Sequence, residues 1–154
     1  MYIKAIAATL AVIAVIVTAT VMIHESGHFT AGSLFGCSDV QITLFDEHLE
    51  TYTKMNCGDI APVKFNAIAM SGLLFVVPLS AVLFLLNRRT YAMIIFGFNL
   101  VISSSDFSYL VPQFGVYASM LIGAATVIYG ESLLVNRYIK YTDDKAIPSY
   151  SPNQ

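Results

Sequence analysis

The segment His24-Glu25-Ser26-Gly27-His28 sets two imidazoles four residues apart, with a carboxylate beside the first. On a helix, residues i and i+4 project from one face, so both rings can reach a single metal ion. The glutamate then lies where it can take a proton from water at that metal. Zinc suits such a pair, because it accepts imidazole nitrogen and carboxylate oxygen and keeps one position open in catalytic sites. These residues follow directly on Ala5–Ile23, a stretch without a single charge. An ionisable group at mid-bilayer costs roughly 2.5–3.5 kcal/mol even on a lenient insertion scale. Three together call for a compensating interaction, and a metal provides one. The competing reading is a helix that carries two histidines and a glutamate for packing alone.

The elements that must position this motif are written in the composition. The chain has 154 residues, 56% hydrophobic and 12% charged, about half the charge of an ordinary soluble domain. Beyond Ala5–Ile23, charge-free runs cover Phe65–Asn87 and the residues from Thr90 to just before Asp106; a fourth, Phe114–Val135, is interrupted by Glu131. Each approaches the roughly 20 residues a helix needs to cross a bilayer. The expected fold is therefore mainly α, a multi-pass membrane protein with four transmembrane helices. Residues 1–140 form one membrane-embedded domain, and 141–154 form a polar, disordered tail. A cleaved leader ending near Val17-Thr18-Ala19 is a rival reading, disfavoured because apolar character continues through Phe29, Ala31, Leu34 and Phe35.

The net charge of −2 says little, but the placement of charge says more. With four spans, both termini and the Arg88–Arg89 turn fall on one side, together with Lys4, Arg137, Lys140 and Lys145. The positive-inside rule puts that side in the cytoplasm. No basic patch suggests nucleic acid; the expected surroundings are a lipid bilayer.

Between the first two spans the chain turns polar and rich in threonine. Val40, Ile42 and Leu44 alternate with Gln41 and Thr43, and a turn near Asp46–His48 returns the chain, so a β-hairpin is expected over about 37–57. Cys37 and Cys57 are each ten residues from Glu47. A register symmetric about Glu47 would oppose them near the spacing a disulfide prefers, in a compartment where disulfides persist. The alternative is two free thiols.

A catalytic zinc usually takes three protein ligands. Candidates for the third are Asp106, Glu131, His48, Asp39, Asp46 and Asp59. Depth separates them. Lys4 to His24 is about 30 Å of helix and Arg89 to Asp106 about 26 Å from the same side, whereas Glu131 is only six residues from Arg137 and so stays near that cytoplasmic side, too far from the histidines. Asp106 is the favoured ligand. Ser103–Ser105 could bond its carboxylate, although serines in membrane helices commonly bond their own backbone. Ser71 and Gly72 read as small packing residues, and Pro78 as a kink.

"HESGH", supported by "NLVISSSDF" at 99–107 and by "SGLLFVVP" at 71–78, resembles the site-2 protease family of intramembrane zinc metalloproteases. The resemblance covers about residues 15–110. It implies one zinc ion per chain held by His24, His28 and Asp106, with Glu25 as general base. It also implies Asn99 as a substrate or oxyanion contact; from the residues alone, an interhelical hydrogen bond is the alternative. Many family members carry prolines before the aspartate and a glycine after it. This chain has no proline between Asn99 and Asp106, and has Phe107 in the glycine position.

The function expected on this basis is zinc-dependent cleavage of a transmembrane or membrane-proximal segment of a protein substrate, unwound against the hairpin edge. The alternative is a non-proteolytic membrane protein that uses the same ligands for stability or partner docking. Glu25 favours the enzyme, since a structural site does not need it.

Overall fold

A charge-free stretch in lipid must pair its own backbone amides, and a helix does so internally. The computed structural model describes residues 2–47, 50–108 and 110–146. In it, helix α1 runs for 33 residues over Tyr2–Leu34 and carries the histidine motif in its last third. Past its end, Gly36 takes φ +82°. Gly36 N–H donates to the Ser33 carbonyl and Cys37 N–H to that of Gly32. This cap satisfies the last carbonyls and turns the chain back over the helix end.

The hairpin follows. Strand β1, Ser38–Thr43, pairs antiparallel with β2, Tyr52–Asn56. Ser38 faces Asn56, the register symmetric about Glu47, and Cys37 and Cys57 are joined by a disulfide with Cα atoms 4.1 Å apart. The register then slips by one residue between Ser38 and Gln41, so that Gln41 meets Lys54 and Ile42 meets Thr53. Asp39 lies inside that irregularity with φ 52°. β2 alternates cleanly: Thr53 and Met55 are half-buried while Tyr52, Lys54 and Asn56 are exposed. The tip residues His48 and Leu49 lie outside the described residues.

Helix α2, Pro62–Leu85, begins on a proline whose missing N–H costs nothing in the first turn, and continues through Pro78. After a three-residue turn, 86–88, α3 starts. Asn87 supplies the turn with φ 60°, and Arg88 N–H donates to the Leu83 carbonyl. α3 spans Arg89–Ile102, breaks at Ser103, and resumes as the single turn α4, Ser104–Phe107. The last helix, α5, covers Gln113–Ala146 and packs on α3. Residues 141–146, expected in a disordered tail, are its last helical turns; 147–154 lie outside the described residues.

Among the described residues, three helical segments are long and apolar enough to cross a membrane, Ile6–Leu34, Pro62–Leu85 and Gln113–Tyr141. α3 is not: its 14 residues make about 21 Å, short of the roughly 30 Å hydrocarbon layer. The expected third span is thus two pieces, and the break at Ser103 aims the turn that bears Asp106. Apolar and polar side chains are distributed inside out relative to a soluble protein. Val15, Phe114 and Leu121 are at least 70% exposed, whereas Thr20, Asn99 and Ser103 are at most 1% exposed. That pattern suits an apolar surrounding phase.

Candidate metal centre

His24 and His28 lie one turn apart on the face of α1 that meets α2, and both are buried. Two glycines allow that meeting. A Cβ on Gly27 would collide with the Ser71 carbonyl, and one on Gly72 would stand 2.6 Å from Nε2 of both His24 and His28. Gly72 is therefore the floor of the site as well as a packing residue. Ser71 bonds its own backbone, its hydroxyl donating to the Ile68 carbonyl at 2.5 Å.

Each imidazole is oriented through Nδ1. His28 Nδ1 lies 2.8 Å from the Ile68 carbonyl oxygen, which can only accept, so His28 carries its proton there. His24 Nδ1 lies 3.0 Å from Asn99 Oδ1. The Asn99 amide is oriented in turn because its Nδ2 donates to the Leu73 carbonyl at 3.2 Å. Its oxygen thus faces the ring, and His24 also carries its proton on Nδ1. In the neutral rings both Nε2 atoms are left with bare lone pairs.

Those lone pairs converge with a carboxylate. The Nε2 atoms are 3.1 Å apart, and Asp106 Oδ2 is 3.1 Å from His24 Nε2 and 3.4 Å from His28 Nε2. Among the described residues, these three side chains form the group able to hold a metal ion. Asp39, Asp46, Asp59 and Glu131 are not in it. His48 lies outside the described residues.

Glu25 points elsewhere. It is buried, stays out of the ligand group, and lines a cavity of about 460 Å³ together with the histidines and Asp106. Its Oε2 accepts a 2.7 Å hydrogen bond from the Thr53 hydroxyl, which also lies 3.1 Å from the Glu25 carbonyl. Val21 and Ile102 give the cavity apolar walls, and Phe45 and Tyr52 of the hairpin stand at its edge.

At two places the contacts are those of the alternative readings, an interhelical hydrogen bond for Asn99 and backbone bonding for Ser105. Asn99 does not line the cavity: it is fully buried, and its amide is committed to His24 and Leu73. Its place is behind a ligand, holding a tautomer, the kind of contact that tunes metal sites. Nor do the serines before Asp106 support its carboxylate. Ser105 bonds the Ile102 carbonyl at 3.0 Å, and the buried Ser103 hydroxyl has no partner among the described residues. Three features went unseen in the sequence: Thr53, the Ile68 carbonyl, and the contact of Gly72 with the rings. The alternation of β2 is the one signal that would have turned Thr53 inward; a backbone carbonyl leaves no signal in residue types.

No protein-family model matches the chain, and no curated protein or solved structure matches it.

Proposed function

We propose that the protein is an intramembrane zinc endopeptidase of the site-2 protease kind. The observation that carries this reading is the convergence of three lone-pair donors within 3.4 Å of one another while both Nδ1 protons are used elsewhere. Such a cluster is repulsive unless a metal ion or an added proton lies between its members. A tetrahedral ion with bonds of about 2.0–2.1 Å sets its ligand atoms about 3.3 Å apart, which matches these distances. Two imidazole nitrogens and one carboxylate oxygen are also a donor set that zinc takes where it leaves a position open for chemistry.

Zinc, when bound, supplies the Lewis acid that polarises a peptide carbonyl and makes water nucleophilic near neutral pH. The chain does the rest. His24, His28 and Asp106 hold the ion, and Asn99 and the Ile68 carbonyl keep both rings in the binding tautomer. Glu25 takes the proton of the attacking water and passes it to the leaving amine. Peptide bonds inside a substrate helix are shielded by their own hydrogen bonds, so the substrate must unwind. The two-stranded hairpin beside the cavity has outer edges on which an extended segment can pair.

Four crossings fit this reading, with α3 and α4 acting together: Arg89 to Phe107 is about 28 Å of helix. Both termini and the Arg88–Arg89 turn are then cytoplasmic, and the disulfide-closed hairpin lies on the opposite, oxidising side. The test is Glu25→Gln in full-length protein reconstituted in liposomes with zinc and a fluorescent transmembrane peptide. Loss of cleavage by roughly a hundredfold to ten-thousandfold, with zinc retained, is expected. Undiminished cleavage refutes the mechanism. A docking protein would retain zinc and be indifferent to the change, and a plain scaffold would bind no zinc at all.

A further inference from the structure

Resting on the peptidase reading, we propose that Thr53 is the positioning residue for Glu25, so that the hairpin completes the catalytic site from outside the helices. A glutamate has three rotatable side-chain bonds. Beside an open cavity, an untethered carboxylate swings among several rotamers. Here one oxygen is held: Thr53 donates to Oε2 at 2.7 Å, and the same hydroxyl lies 3.1 Å from the Glu25 carbonyl. No hydrogen bond occupies Oε1 among the described residues, and Glu25 lines the cavity, so Oε1 is the oxygen available for the proton of water. The Thr53 hydroxyl keeps its own proton throughout; Oε1 receives one from water and surrenders it to the leaving nitrogen.

The hairpin is built to hold Thr53 at this point. Met55, on the same face of β2, sits over Gly32, where an added Cβ would come within 2.8 Å of its sulfur. The inward face of β2 therefore lies along the stripe of α1 that contains Glu25 and Gly32. Cys57, just past β2, is bonded to Cys37, just past the α1 cap. A closed ring results: Glu25 along α1 to Cys37, across the disulfide to Cys57, back along β2 to Thr53, and by its hydroxyl to Glu25.

A merely structural Thr53 would anchor the strand through the backbone contact alone, and the test must separate that role from the proposed one. Thr53→Val keeps shape and β-branching but removes the hydroxyl, and Thr53→Ser keeps the hydroxyl. Both are compared with wild type and Glu25→Gln as full-length protein in zinc-containing liposomes, with fluorescein-labelled casein as probe. Thr53→Val should lower kcat about tenfold, the scale of one hydrogen bond to a charged group, with KM and zinc content unchanged. Thr53→Ser should recover most of the loss. Independently of turnover, the infrared carboxylate band that disappears in Glu25→Gln should shift in Thr53→Val and return in Thr53→Ser. If wild type leaves casein uncut, that band decides. An unmoved band, or a change confined to KM and thermal stability, overturns the proposal while the peptidase reading stands. Full cleavage by Glu25→Gln removes both.

Discussion

The two halves of the site are held in different ways. On the metal side, His24 and His28 are backed by groups buried among the helices: an amide from α3, a carbonyl from α2, and Gly72 pressed against both rings. On the base side, Glu25 is backed by one hydroxyl on a two-stranded hairpin tied to α1 by a disulfide. The metal corner is therefore as rigid as the helix packing, while the base corner depends on a module that can shift without unpacking the helices. A difference of this kind separates binding from turnover. Damage to the first corner should lose the ion, and damage to the second should lose rate and keep the ion.

The sharpest break on the metal side is Gly72→Ala. Its new methyl would occupy the space of both Nε2 atoms, and neither ring can retreat without losing its Nδ1 partner. Zinc affinity should fall by more than about a hundredfold, beyond what loss of one outer contact does; calorimetric titration of zinc into the metal-stripped variant measures it. Asn99→Ala is milder. It leaves the ligands in place but frees the His24 ring, and affinity should drop about ten- to hundredfold. Asn99→Asp keeps an acceptor at Oδ1 and should bind more tightly than Asn99→Ala in the same titration.

The base side should answer differently. Replacing Cys37 and Cys57 by serine removes a constraint on a short loop, about 3 kcal/mol of hairpin stability. Hydrogen exchange of the β1–β2 amides should speed accordingly, cleavage should fall only severalfold, and zinc content should not change. Zinc loss in this variant would show that the two corners are not independent.

How much of this could be read beforehand follows the range of the forces. The histidine pair, the base and the cysteine symmetry are local spacings, and spacing survives in sequence. Asp106 was reachable because helix length converts residue number into depth, and it stands at hydrogen-bond distance from His24. Ser103 was not legible as a break, since nothing in "SSSD" forbids a continuous helix, and so α3 appeared long enough to span. Asn99 was placed on the face of Asp106, and both do meet His24, one at each ring nitrogen. Of its two readings, the interhelical hydrogen bond is the one observed, since its amide donates to a backbone carbonyl of α2. Thr53 and Ile68 are set by tertiary packing alone.

The proposed chemistry requires that His24, His28 and Asp106 hold zinc together. Zinc per chain, measured by mass spectrometry on full-length wild type, Asp106→Ala, Glu131→Ala and Glu25→Gln, tests this most directly. One zinc ion is predicted in wild type, Glu131→Ala and Glu25→Gln, and close to none in Asp106→Ala. Full zinc occupancy in Asp106→Ala, or loss of zinc in Glu131→Ala, would contradict the site.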